Sequence, residues 1–462
     1  MPPTGTQQPF AEDISRQSVG LSTVRVPSKT DPHNAYLHLL WIALAGYALH
    51  GKGFAYIGYP PVLIGEVTMV LGLLVVFRSG CGFAMLATLP SMLLSILLAW
   101  VSVQTFIGFG HYGLEAVRDS VIVVYGLYAF VVIALLLEDP DRLPRSIKAY
   151  SGFAWLYGLV GGSLTYITTR LSEFLPVWPL SGVSIVYVRH GESAVHIAGA
   201  AIFVLLGLRK VSLAWKFALL FSIVMITPSR GAMVACFAAI GMAVLLSGQL
   251  GRFMPMLFVG GAVLLFSHAI GLEVPLPEGR SVGPGQIINN FESIVGTSNA
   301  SNLDGTKIWR LRWWQAIQDY TLHGPYFWTG KGFGIGLAEA DGFVVGQEIG
   351  GPMVRSPHNA HLTMLARSGV PGLALWIITG MAWFLMLLRS AILARRRGDS
   401  QWANIFIWIG CYAMAIVINS SFDVALEGPM LGIWFWSLFG LGIATSMIYR
   451  WDISHGPARK LI

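Results

Sequence analysis

A histidine at the border of an apolar run is the group in this chain best suited to proton transfer. The stretch SPHNAHLTMLARSGVPGLALW, residues 356–376, sets a polar, His-bearing helix start directly against a long apolar segment. His358 follows a proline there, and a neutral imidazole at a water boundary suits general-base work because it titrates near working pH. A surface histidine without a role is the other reading. His361 lies one turn on, and two histidines at i and i+3 could ligate a metal, although no third His or acidic ligand stands nearby in sequence.

Arginines are the second chemical element. Arg230, in TPSRGA (residues 227–232), is flanked by apolar segments. An arginine buried toward a bilayer centre costs at least about 2.5 kcal/mol, so such a residue is usually paired. Diphosphate is a suitable partner, because a planar guanidinium holds phosphate oxygens bidentately; a snorkelling helix-end arginine is the alternative. Residues 308–320, IWRLRWWQAIQDY, read as a short amphipathic helix, with Trp309, Trp313, Ala316 and Tyr320 at helical spacing. The aromatic rings suit a headgroup-layer anchor. The same helix could present Arg310, which shares a stripe with Trp314 four residues on. Arg312 stands two positions away and could take the same role. His323, Gly324 and Pro325 precede GKGFG, residues 330–334, either a tight turn or a nest of amides able to hold an anion. Arg118 and Asp119 read as an internal ion pair.

These residues need a scaffold, and composition says which kind. Hydrophobic residues make up 55% of the chain and charged residues 11%, with apolar runs from end to end. That profile predicts an all-α polytopic membrane protein. Twelve segments could cross a bilayer: 36–50, 61–77, 86–107, 121–137, 153–168, 195–208, 213–226, 232–246, 253–270, 361–388, 402–419 and 430–449. Residues 1–34 are expected to be a disordered cytoplasmic tail, 35–272 to hold spans one to nine, 273–357 to form a large periplasmic loop with the amphipathic helix, 358–450 to hold spans ten to twelve, and 451–462 to form a second cytoplasmic tail. Lys and Arg set this orientation, with both termini inside. Arg16, Arg25, Lys29, Arg142, Arg145 and Arg395 to Arg397 are among many on the inner side, whereas the short outer loops receive Lys52, Arg118, Arg170, Arg189 and Arg230. The net charge of +7 therefore reflects topology and lipid headgroups, and nucleic acid is not expected as a partner. Long loops are usually functional. This one carries Arg280, Lys307, Arg310, Arg312, Lys331 and Arg355 on the face that topology keeps poor in positive charge, which points to an anionic ligand. Cys81, Cys236 and Cys411 are scattered without a CxxC spacing, so they read as small buried hydrophobes.

From Arg230 to Trp376 the chain resembles the O-antigen ligase and O-antigen polymerase superfamily of bacterial membrane glycosyltransferases. His358, Asn359, nine intervening residues, Gly369, two more and Gly372 look like the family's histidine motif. Arg310 with Trp314, His323 to Pro325 and the glycine turn containing Gly332 are similar to its loop pattern, and Arg230 matches its arginine after span seven. In the first half, residues 58–66 (GYPPVLIGE) and 118–120 (RDS) look like members that polymerise exopolysaccharide. The resemblance implies a GT-C-like fold at the bacterial inner membrane, with the active site facing the periplasm. It implies an inverting transfer of a glycan from an undecaprenyl-diphosphate carrier to a sugar hydroxyl, on lipid A core or a growing glycan. His358 would be the base, Arg230 with Arg310 or Arg312 the diphosphate ligands, and Asn359, Gly369, Gly372, Trp314, Gly332 and His361 the support. No cofactor or metal is expected, because the donor arrives activated and the only Asp-x-Asp, Asp139 to Asp141, falls on the inner side.

The competing reading is a transporter or flippase of lipid-linked oligosaccharide, which would favour broken helices in symmetric halves; no internal repeat is found. A metal-dependent oligosaccharyltransferase would need outward acidic pairs, and Glu66, Asp423 and Glu427 stand isolated in sequence.

Overall fold

The computed structural model describes residues 31–248, 250–271, 274–275, 281–287, 290, 301–344 and 355–461. Residues 1–30, which make up most of the expected tail, and Arg280 lie outside that set.

All twelve apolar segments fall on helices. In chain order these are α1 (Pro32–His50), α2 (Ile64–Arg78), α3 (Leu89–Tyr112), α4 (Leu114–Val124), α5 (Leu127–Glu138), α6 (Arg142–Arg170), α7 (His190–Leu205), α8 (Leu213–Met225), α9 (Arg230–Ser247) and α10 (Leu250–Ala269). After the loop, which contains α11 (Ser301–Leu322), come α12 (Ala360–Arg396), α13 (Ser400–Ser420) and α14 (Pro429–His455). Five of these, α3, α9, α12, α13 and α14, are long and apolar enough to cross a membrane, and α4 with α5, bent by 44°, forms a sixth candidate. Helices α7 and α8 are shorter apolar rods. The chain is thus a polytopic membrane protein.

Local chemistry explains the helix starts. Asp31 accepts a 3.0 Å hydrogen bond from His33 N, with Pro32 at the first helical position, so α1 begins at residue 32. Thr88 and Ser91 cap α3 reciprocally, and Ser229 caps α9. At the same end as the α1 start, buried Arg142 pairs with Asp31 and Glu138, each at 2.7 Å, and donates to Asn34 at 2.8 Å. Asp139 and Asp141 are engaged there by Arg145 at 3.2 Å and Arg459 at 3.1 Å, so the Asp-x-Asp serves as a set of ion pairs.

Helices α7, α9 and α13 pack on one another, and α14 packs against α5 and α13. The core they share is aromatic: Tyr150, His196, Tyr412 and Trp434 meet with ring centroids 5.0 to 6.4 Å apart. Glycine permits the closest helix approaches. A Cβ on Gly440 would lie 2.4 Å from the Ala129 carbonyl oxygen, and one on Gly162 would lie 2.6 Å from the Ser222 Cα. The outward faces of α3 and α10 expose Phe106, Ile107, Phe258 and Leu265, the apolar surface that a bilayer covers.

Candidate active site at the start of α12

The histidine motif is a helix start and a helix break joined by two and a half turns. Asn359 caps α12, its side-chain oxygen accepting from His361 N at 3.0 Å and Leu362 N at 3.1 Å. Gly369 interrupts the helix at φ +68°, and Pro371 lacks the N–H that the Arg367 carbonyl would otherwise accept from. The freed carbonyls find other donors: Lys331 N to Ala366 O at 2.7 Å, Gly332 N to Arg367 O at 3.1 Å, and Trp100 Nε1 to Ser368 O at 3.3 Å. In return Val370 N donates to Phe327 O at 2.8 Å. Gly369 is required by space as well as conformation, because a Cβ would lie 2.5 Å from the Phe327 carbonyl oxygen. At Gly372 a Cβ would meet the Ser368 hydroxyl at 2.0 Å.

The glycine turn therefore does not form an open anion nest. Its amides at Lys331 and Gly332 go to α12, and Gly334 N donates to the Asp119 carboxylate at 3.0 Å. Asp119 also binds Arg355 at 2.8 Å and Arg367 at 2.8 Å, with both Asp119 and Arg367 buried. The expected pairing of Arg118 with Asp119 is corrected by this arrangement: exposed Arg118 pairs with Glu115 at 3.3 Å. Electrostatics explain it, since a desolvated carboxylate is best served by buried guanidinium groups.

Helix α11 is longer than the expected 308–320, and its aromatic stripe faces inward. Trp313 is fully buried, donates to Asp341 at 2.6 Å and stacks on Phe343 at 5.7 Å. With Ile317, Leu337, Leu365 and Ala366 it forms a small second core. The headgroup-anchor reading of Trp313 is thereby replaced by packing within the loop. Lys331 pairs with Asp341 and lies over the Tyr320 ring at 4.3 Å, which fastens the turn to the same core.

On its neighbouring stripe α11 reaches the histidine. Trp314 Nε1 donates to the Pro357 carbonyl at 2.8 Å, one residue before His358, and Arg310 Nη1 donates to the Phe422 carbonyl at 2.8 Å. Arg312 is exposed on a different face. The turn between α13 and α14, residues 421–428, gathers the rest. Gly231 packs so closely on Phe422 that a Cβ would lie 2.9 Å from the Phe422 Cβ, which brings the first turn of α9, carrying Arg230, to the same place. Asp423 Oδ1 is 3.7 Å from His358 Nδ1 and 3.6 Å from Arg189. Burial alone would raise the Asp423 carboxyl; His358, Arg189 and the Val424 amide outweigh it and hold it below the usual range. Glu427 Oε1 accepts from Ser356 Oγ at 2.6 Å and from Thr363 Oγ1 at 2.8 Å.

His358, Arg310 and the start of α9 thus meet around one turn, together with Arg189, Asp423 and Glu427, which sequence reasoning left outside the site. The signal for the two acids was available: both sit in a short linker on the same side of the helices as His358. His361 is turned toward α12 itself, its Nδ1 accepting from Trp376 Nε1 at 3.0 Å. Among the described residues no group of three or more His, Cys, Asp or Glu is arranged to hold a metal ion. Chemically, the site offers an imidazole backed by the Asp423 carboxylate, with the Arg189 and Arg310 guanidinium groups and the Arg230-bearing start of α9 around the same turn.

Residues 215–377 match the family model described as O-Antigen ligase. No curated protein matches the chain. The matched region runs from α8 through Arg230, α11 and the glycine turn to the histidine motif, and over that stretch it supports membership of the O-antigen ligase and polymerase superfamily.

Proposed function

We propose that the protein is an inverting glycosyltransferase that moves a glycan from a polyprenyl-diphosphate carrier to a sugar hydroxyl at the periplasmic face of the inner membrane. The observation that carries this reading is the meeting of His358, Arg310 and the Arg230-bearing start of α9 at the 421–428 turn. His358 takes the proton of the acceptor hydroxyl, and the hydroxyl oxygen attacks the anomeric carbon from the face opposite the carrier. The bond from that carbon to the phosphate oxygen breaks, and the electron pair leaves with the diphosphate. Arg230 and Arg310 stabilise the charge that collects there, the contribution that is usually largest in such reactions. General-base assistance contributes about 10² to 10⁴ in rate. Asp423 stabilises the imidazolium formed when the base takes its proton.

The acceptor is either lipid A core or a lipid-linked repeat, and the donor chemistry is the same for both. Purified protein supplied with a polyprenyl-diphosphate-linked oligosaccharide and each acceptor in turn tests the proposal. Product from wild type and none from His358→Ala is expected, and the productive acceptor names the subclass. Binding of donor with no product from either acceptor would favour a lipid-linked oligosaccharide transporter.

A further inference from the structure

His358 adopts φ +56°, the only non-glycine residue at positive φ among those described. Side chains of L-residues enter that region at a cost of about 1 to 3 kcal/mol, so the surroundings must hold it. Two tethers are already evident, Trp314 on the Pro357 carbonyl and the Asn359 cap. The third is one carboxylate oxygen. Glu427 Oε1 grips Ser356, two residues before the histidine, and Thr363, five residues after it. Both hydroxyl residues are buried, and their oxygens lie 3.2 Å apart. A carboxylate is an acceptor only, so this arrangement draws both hydroxyl protons onto one atom and closes the chain around the base.

We propose that Glu427 is the positioning residue of His358: it locks the left-handed turn that aims the imidazole and supplies a fixed negative charge close to it. The kinetic part of this inference rests on the glycosyl-transfer reading, while the titration part does not. Burial pushes the Glu427 carboxyl up, and Ser356, Thr363, Arg367 and His358 pull it back, so the histidine and this carboxylate share an electrostatic environment. The other charged groups around this turn are Asp423, 3.7 Å from the histidine, Arg189 paired with Asp423, Arg310 on the Phe422 carbonyl, and Arg367, which acts on Glu427 from α12.

Two substitutions separate the two parts. Glu427→Gln keeps an oxygen that accepts both hydroxyls but removes the charge; Glu427→Ala removes both. In full-length protein in lipid nanodiscs, kcat and donor KM are measured across pH, and the His358 ring is titrated by NMR with a labelled Cε1. For Glu427→Ala a fall in kcat of about 10- to 100-fold is expected, with KM within about threefold, because the base is misplaced while the diphosphate ligands are untouched. For Glu427→Gln, kcat stays within about fivefold of wild type, but the acid limb of the profile and the ring titration both move to lower pH, since a nearby negative charge favours the imidazolium. Wild-type kcat in Glu427→Ala per folded molecule, with an unmoved titration in Glu427→Gln, would overturn the inference. If wild type transfers nothing, the function proposed above fails, and the ring titration alone decides this point. If Glu427→Ala does not fold, Ser356→Ala with Thr363→Val replaces it, with the same loss of kcat expected and wild-type kcat counting against the clamp.

Discussion

Arg310 donates a 2.8 Å hydrogen bond to the carbonyl of Phe422, joining the loop helix to the turn that also carries Asp423. The relationship fastens Arg310 to the turn whose Asp423 lies 3.7 Å from His358. Arg310→Ala should lower transfer by about 10² to 10³, the loss typical of removing one preorganised donor to developing charge. Arg312→Ala, on an exposed face, should stay within about threefold. Initial rates of glycan transfer for both variants check this, and equal losses would show that the two arginines were wrongly distinguished.

Asp119 binds two guanidinium groups and a backbone amide from three segments. Asp119→Ala leaves Arg367 buried without its carboxylate, a situation that costs about 3 to 5 kcal/mol. A marked drop in Tm of the full-length protein in detergent is therefore expected. Arg118→Ala should change little, because its partner Glu115 is exposed.

Gly369→Ala combines a positive φ with a 2.5 Å clash against the Phe327 carbonyl oxygen. Gly332→Ala has the same conformational penalty, at φ +85°, but open space around it. Expression and thermal stability should thus fall much further for Gly369→Ala. Comparable stability in the two would mean that the α12 break tolerates rearrangement.

Asp423 carries the pH prediction. Its folded-state carboxyl is held below the usual value of 3.8, so its ion pairing contributes stability that is fully present above that value and is lost as pH falls through the folded value. Tm of wild type should therefore exceed that of Asp423→Asn at neutral pH, and the gap should shrink below about pH 4. A gap that stays constant down to pH 3 would contradict the assignment.

Helical periodicity and motif spacing made His358, Arg310 and Trp314 legible, because residues four apart on a helix share a face. The apolar helices were legible from hydropathy for the same local reason. Partners distant in sequence were not. Nothing near Asp119 or GKGFG announces that the turn's anion is a carboxylate from more than two hundred residues upstream. Trp313 misled for a different reason: an indole facing lipid headgroups and one buried in a loop's own core have the same spacing, and only Phe343 and Leu337, arriving from beyond the glycine turn, distinguish them.

The nine residues between Asn359 and Gly369 act as a ruler. One end is pinned by the cap, the other by the break where Lys331 and Gly332 replace the donors that the helix lacks. One added residue would advance the chain by about 1.5 Å and rotate it by about 100°, swinging the imidazole away from Asp423 while every motif letter was still present. Length between the letters, as much as their identity, is what the chemistry inherits from this fold.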